Sequence, residues 1–181
     1  MAIAVIVIAA IVVIAVAWIA VSNGIVRASN KCDNAWQTIE AQLQRRHDLI
    51  PNLVETVKGY AAHESKTLQA VTDARAAEEK ATTPEDKMQA AARLTGAVNS
   101  LLAVAENYPD LKASANFQQL QSELADTENR LSYARMSYND CVMMYNNAIQ
   151  TFPGSLVASG RQPRQGFSAG AGAADNPKVS F

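Results

Sequence analysis

Four consecutive ionisable residues, Arg45 to Asp48, are the part of the chain whose side chains are best suited to chemistry. Guanidinium groups bind carboxylates and phosphates, an imidazole exchanges protons near neutral pH, and a carboxylate binds cations or acts as a base. Pro51 follows this run, and apolar residues at helical spacing flank it on both sides. The stretch is therefore a candidate site, and its surroundings decide what it does.

Established catalytic and metal-binding patterns are missing from the sequence. His63-Glu64 lacks the second histidine, four residues after the first, of a zinc protease helix, and the C-terminal glycines form no phosphate loop. The predicted long helix carries four carboxylates that could bind a metal across a bundle: Asp48, Glu55, Glu64 and Asp73. The Glu-x-x-His pairs of carboxylate-bridged bundles are absent, which argues against such a site. We expect a protein that is not an enzyme, with no catalytic residue, cofactor or metal.

Arg46 and Glu64 fall on or beside the apolar stripe of their predicted helix, which leaves two interpretations. In the first, they form interhelical ion pairs that set the register of a bundle. Arg46 would then reach an acidic residue on a neighbouring helix, such as Glu106, Asp126 or Glu128. In the second, Arg45, Arg46 and His47 dock a partner or anionic lipid. Lipid is disfavoured, because a straight helix places them ~35–40 Å from the membrane span.

Structural pairing is the preferred interpretation of this stretch, with partner docking as the alternative. The candidate interaction and register residues are Arg45, Arg46, His47, Asp48, Pro51 and Glu64.

An apolar run over residues 2–21, with no charged side chain, predicts a transmembrane helix. Twenty residues span ~30 Å, the thickness of a bilayer core, and Trp18 suits the headgroup region near one end. No basic residue precedes the run, whereas several follow it: Arg27, Lys31, Arg45 and Arg46. The positive-inside rule then predicts a single-pass protein of the cytoplasmic (inner) membrane, with its C-terminal domain in the cytoplasm.

Composition limits the remaining choices. The chain of 181 residues is long enough for one ordinary domain, and its net charge of −1 argues against nucleic acid as a partner. Two cysteines, Cys32 and Cys141, do not form a disulfide framework and are expected to be reduced, buried small residues.

Helical periodicity continues through most of the chain after the span. One kinked but continuous helix is predicted from about residue 25 to 80, through Pro51, and a second from 85 to about 107 after an N-cap at Thr83. A third, from 117 to 152, has a coiled-coil-like seam that includes Thr127, Cys141 and Ala148.

These segments predict an all-α fold, with an N-terminal transmembrane helix followed by an up-down-up bundle of long antiparallel coiled-coil-like helices. The expected domains are an anchor (1–24), a cytoplasmic bundle (25–157) and a flexible tail rich in Gly, Ala and Ser (158–181).

Several ordered motifs resemble the LemA family, between the span and about residue 157. They include Arg45-Arg46-His47-Asp48-Leu49-Ile50-Pro51-Asn52-Leu53-Val54, Glu106-Asn107-Tyr108-Pro109-Asp110-Leu111 and Tyr138-Asn139-Asp140. The resemblance implies a single N-terminal span, a short outside N-terminus and a cytoplasmic bundle of long helices. It brings no catalytic residues, and related magnetosome-membrane proteins suggest a role in membrane organisation.

The expected function is that of a membrane-anchored helical scaffold or adaptor that self-associates. Its partners would be the lipid bilayer, through residues 2–21, and further copies of the chain. The alternative is a regulatory subunit of a membrane protease or sensor kinase, which would bind one membrane protein as its partner.

Overall fold

The computed structural model describes residues 1–167, and the regular structure in that range is entirely helical. The helices are α1 (Ala2–Tyr60), α2 (Ser65–Lys80), α3 (Pro84–Ala105), α4 (Pro109–Ala113), α5 (Ala115–Gln150) and α6 (Gly154–Val157). They form two compact units: unit 1 combines residues 1–38 with 134–166, and unit 2 contains residues 39–133 and Phe167. The predicted all-α class and helical bundle are confirmed.

The first third of α1 is the apolar segment expected to enter the membrane. Its most apolar stretch has a mean hydropathy of 3.2 and none of it is buried within the protein. By length and composition, α1 is the helix of residues 1–167 that could cross a bilayer. This is consistent with an N-terminal membrane anchor.

Unit 2 is an antiparallel arrangement of helices around an apolar core. Hydrogen-bonded residue pairs give the direction of each helix relative to α1. The α2 helix is antiparallel to α1, because Arg46 binds Glu78 and His47 binds Arg75. The α5 helix is also antiparallel, with the pairs Thr56–Asn116 and Arg46–Glu128, whereas α3 is parallel, with the pairs Glu40–Lys87 and Arg46–Thr95. Buried residues from these helices and from α4 fill the core, among them Leu53, Val71, Leu94, Leu101, Leu111 and Phe117.

The long helix predicted from about 25 to 80 is wrong at its C-terminal end. α1 continues through Pro51 as expected, but it ends at Tyr60, and residues 61–64 connect it to α2. Ala61 is buried in the turn and the backbone N–H of Glu64 donates to its carbonyl. The turn forms because folding α2 back onto α1 buries Leu68 and Val71 in the common core.

The start of α3 agrees with the sequence. Thr83 is the N-cap, and its Oγ1 accepts a hydrogen bond from the backbone N–H of Asp86 at 3.1 Å. Pro84 occupies the first helical turn, where its missing N–H is not needed.

Unit 1 pairs the N-terminal part of α1 with the C-terminal part of α5. The rings of Trp36 and Tyr138 lie 5.4 Å apart. Later in the chain, after the end of α5, Gly154 lies next to Ile25 of α1. The two helices are therefore antiparallel in this unit as well.

The predicted seam of α5 is wrong at Cys141 and Ala148, whereas Tyr145 is buried as predicted. Cys141 and Ala148 are only partly buried, and the next residue in each case, Val142 or Ile149, is buried in its place. A strict repeat of 3.5 residues drifts by ~20° per heptad on a straight helix of 3.6 residues per turn. Over the three heptads from Phe117 to Tyr138 this drift adds up to ~60°. The residue that follows each predicted seam position then faces the partner helix more directly, so Val142 replaces Cys141 and Ile149 replaces Ala148.

The first part of the predicted tail contacts the helices of unit 1 through Gln162, Arg164 and Gln165. Tyr145 donates a hydrogen bond to the carbonyl of Gln162, and Asn146 exchanges two with the backbone of Arg164. The Arg164 guanidinium binds Asp33 at 2.6 Å and Ser29 at 3.0 Å, and it lies over the Tyr145 ring. The hydrogen bond to Asp33 raises the pKa of Arg164, so this attachment stays charged. The rest of the tail, including Phe181, lies outside the described residues.

Candidate functional site

Arg46 is the centre of a buried polar cluster in unit 2. It is 2% exposed and its guanidinium reaches three other helices. One terminal nitrogen donates to Glu78 Oε1 at 2.7 Å and to the carbonyl of Ala91 at 3.3 Å. The other donates to Thr95 Oγ1 at 2.7 Å and to Glu128 Oε2 at 3.2 Å. A planar fork of donors suits this role, because it binds several acceptors in fixed directions.

Glu78 neutralises Arg46 but keeps one oxygen unused. Its side chain is 7% exposed, and Oε2 has no hydrogen-bond partner within the described part of the chain. His47 Nδ1 lies 3.9 Å from that oxygen, which is beyond hydrogen-bond distance.

A cavity of about 510 Å³ adjoins Glu78. Most of its ionisable lining is acidic, and Lys87 is bound to Glu40 on its wall. The lining residues are Glu40, Leu43, Gln44, His47, Glu78, Glu79, Ala81 and Lys87. Such a surface suits a small organic cation or a basic side chain. Within residues 1–167 no group of three His, Cys, Asp or Glu side chains is placed to hold a metal ion.

The four consecutive ionisable residues do not converge on one site. Consecutive residues of an α-helix are ~100° apart, so their side chains leave in different directions. Arg45 is exposed and lies 3.5 Å from Asp126, and Asp48 is exposed and accepts a hydrogen bond from Gln44. Arg46 is buried, and His47 borders the cavity. Within this run, Arg46 forms a buried structural ion pair, and His47 is the residue that lines the cavity.

Pro51 is accommodated inside α1 by a residue of α2. A proline at this position has no N–H to donate to the carbonyl four residues earlier, which is that of His47. Arg75 Nε donates to this carbonyl at 3.3 Å and replaces the missing bond. The helix therefore continues through Pro51 because a neighbouring helix satisfies the freed acceptor.

Replacing Arg75 by methionine should destabilise unit 2 by about 1 kcal/mol, because the partly buried His47 carbonyl loses its donor. The same change in a Pro51→Ala background should cost less, since the alanine N–H can restore the bond within the helix. Chemical denaturation of the four proteins of this double-mutant cycle measures the coupling. Additive effects would contradict the proposed compensation.

Among residues 1–167, Glu64 has no partner for the ion pair predicted for it. It lies at the N-terminal boundary of α2, and its Oε1 accepts a hydrogen bond from the Tyr108 hydroxyl at 3.2 Å. Desolvation and this hydrogen bond raise the pKa of Tyr108. Glu64 thus connects the turn after α1 to the turn before α4.

The cysteines are reduced, as predicted, but only Cys32 is fully buried. Burial raises the pKa of the Cys32 thiol. A thiol that is enclosed and protonated is a poor nucleophile, so Cys32 has the structural role expected of it.

Glu78 is the principal residue that sequence reasoning missed. On one continuous helix, Arg46 and Glu78 would be separated by ~48 Å, since they are 32 residues apart. The turn at residues 61–64 brings them together. Gly59 near the end of α1 was the available signal for that turn, because glycine disfavours a helix interior.

Comparison with known proteins gives the family. The sequence model described as LemA family matches residues 35–181, which include the Arg46 cluster and α5. The chain belongs to the LemA family. This confirms the resemblance carried by the motifs around Arg46 and in the later helices.

A relative from the same family is the protein named Protein LemA of Metamycoplasma hominis, which is 29% identical over 140 residues. The similarity covers 75% of this chain and 63% of that protein. The chain thus spans less than two thirds of the length of this LemA relative.

Proposed function

We propose that this LemA-family protein is a single-pass scaffold of the cytoplasmic membrane, whose cytoplasmic helices self-associate. The observation that carries the proposal is a row of exposed methionines on α5: Met136, Met143 and Met144 are 62%, 56% and 56% exposed. Methionine side chains are flexible and apolar, and they are frequent on surfaces that bind other proteins.

A second copy is the occupant that fits this row. Copies anchored by the same N-terminal segment share their orientation in the membrane, so a twofold axis along the membrane normal brings identical surfaces together at one height. Orientation follows from the basic residues after the span, which favour a cytoplasmic C-terminal domain.

Asp140 lies exposed between these methionines, and it provides the test. In a symmetric contact the two copies of Asp140 face each other, and their repulsion weakens the dimer. Asp140→Asn should therefore tighten self-association about two- to fivefold, the effect of removing 0.5–1 kcal/mol of repulsion. Mass photometry of the full chain in detergent, over a range of concentrations, measures the dimer fraction.

Asp110→Asn is the matched control, because Asp110 is an exposed aspartate of α4 in unit 2. It should leave the dimer fraction unchanged. A monomer at every concentration would contradict self-association, and a weaker dimer in Asp140→Asn would contradict the symmetric contact.

The acidic cavity beside Glu78 favours the second candidate function, a regulatory subunit that binds a basic side chain of a membrane protease or sensor kinase. Glu79 lines the cavity but is itself exposed, so Glu79→Gln preserves the fold. Under this alternative, a defined membrane protein co-purifies with the native chain and with the exposed control Glu85→Gln, but not with Glu79→Gln. Equal recovery with all three would contradict it.

A further inference from the structure

The corner between α5 and α6, residues 151–156, exposes large apolar side chains next to the end of the membrane span. Phe152 is 80% exposed and Leu156 is 63% exposed. Gly154, between them, is buried, and a side chain there would lie 3.7 Å from Ile25 Cδ1. The corner is thus held against α1 at Ile25, with its apolar side chains facing outward. All of these residues belong to unit 1.

The position of Ile25 along α1 fixes the height of the corner. The apolar run ends at Val21, and Ile25 follows four residues later, ~6 Å further along the helix axis. A bilayer has a hydrocarbon core of ~30 Å within a total of ~40–45 Å, so each interfacial layer is ~5–7 Å thick. When Val21 marks the edge of the core, Ile25 and the corner beside it are level with the phospholipid headgroups.

The course of α5 supports the same placement. α5 pairs with α1 at Trp36 and Tyr138 and then continues towards the span, because the helices are antiparallel. Gly154 contacts α1 eleven residues closer to the span than Trp36. The exposed apolar corner is therefore the membrane-facing end of α5.

We propose that the α5–α6 corner lies in the interfacial layer of the bilayer that holds α1, with Phe152 and Leu156 inserted between phospholipid headgroups. Aromatic and aliphatic side chains are favoured at this depth, and the same two residues would otherwise remain in water. The contact forms within one molecule, so its high effective concentration makes a small apolar surface sufficient. Arg27, exposed ~9 Å beyond Val21, lies within a Debye length of the headgroups and favours an anionic surface.

This inference rests on the membrane anchoring included in the proposed function. It adds a second attachment, which would fix the tilt and rotation of α1 that a single span leaves free.

Single-tryptophan variants of the full chain in phospholipid nanodiscs test the proposal. In a Trp18→Phe, Trp36→Phe background, tryptophan is introduced by Phe152→Trp, or separately by Leu156→Trp. The control is Met136→Trp, which also starts from an exposed residue of α5 but lies ~24 Å further from the corner along the helix. A Trp36→Phe protein retains the native Trp18 and reports on the anchor. Fluorescence is compared in plain lipid and in lipid brominated near the headgroup end of its acyl chains.

We expect bromine to quench the Phe152→Trp and Leu156→Trp variants to the same extent as native Trp18, with emission shifted to the blue, and to leave Met136→Trp unquenched. Quenching of Trp18 without quenching of either corner variant would overturn the proposal and leave the anchor intact. Loss of quenching at Trp18 would overturn both. Circular dichroism establishes that each variant is folded. Because tryptophan is placed separately at positions 152 and 156, a local perturbation at one position does not decide the result.

Discussion

Arg46→Ala is expected to lower the free energy of unfolding of unit 2 by about 3–5 kcal/mol. The guanidinium is 2% exposed and binds Glu78, Glu128, Thr95 and the Ala91 carbonyl. Its removal leaves the carboxylate of Glu78 buried without its cation, and an unpaired buried charge is much more costly than the loss of one hydrogen bond. Urea unfolding of the full chain in detergent, followed by circular dichroism, measures the change.

Arg45→Ala is the matched control for this prediction. Arg45 precedes Arg46 on the same helix turn, but its side chain is 44% exposed and its distance to Asp126 is 3.5 Å. Exposed pairs contribute ~0–1 kcal/mol, so this variant should remain close to the native protein. Equal losses for the two variants would show that Arg46 acts through general charge and not through its buried contacts.

The double substitution Arg46→Met, Glu78→Met separates pairing from burial. It removes both charges and keeps apolar volume at the site, so it should recover most of the stability lost in Arg46→Ala. If the double variant is as unstable as Arg46→Ala, the hydrogen bonds to Thr95 and Ala91 are the main contribution.

Gly154→Ala is expected to destabilise unit 1 by about 1–3 kcal/mol, the usual effect of overpacking. A Cβ atom at this position would lie 1.8 Å from the carbonyl oxygen of Ala148, which is backbone and cannot rotate away. The corner must therefore shift away from the Ala148 carbonyl near the end of α5. Thermal unfolding in a Trp18→Phe background, followed by the fluorescence of Trp36, reports on this unit, because Trp36 packs against Tyr138.

Gly24→Ala is the control, since it makes the same chemical change within unit 1. A Cβ atom at Gly24 meets nothing within 4 Å, and alanine is a better helix former than glycine by up to ~1 kcal/mol. This variant should be as stable as the native protein or more so. A stabilising Gly154→Ala would contradict the close packing of the corner.

The ion pair between Arg46 and Glu128 could be predicted because both residues lie on regular helical patterns that local sequence determines well. Glu128 was one of three acidic candidates on neighbouring helices, and it is a partner in the structure. The N-cap at Thr83 could be predicted for the same reason, since its signal is contained within four residues.

The cavity and the Glu78 pair could not be predicted, because both depend on a turn with weak local signals. Residues 61–64 contain neither proline nor glycine, and helix propensity alone continues α1 through them. The turn is favoured by burial of Leu68 and Val71, which is a property of the folded unit. The attachment of residues 158–167 through Arg164 could not be predicted either. The composition of this segment is typical of a linker, but the Arg164 guanidinium binds Asp33 and Ser29 and lies over the Tyr145 ring.

The buried cluster around Arg46 also sets the order in which this protein can be completed during synthesis. Arg46 precedes its partner Glu78 by 32 residues and Glu128 by 82. The apolar start of α1 is complete long before either carboxylate has been translated. Until Glu78 has emerged, the nascent chain keeps the Arg46 guanidinium in water, and the contact with Glu128 forms only after that part of α5 is translated. The folding rate of unit 2 is therefore limited by contacts that are distant in sequence.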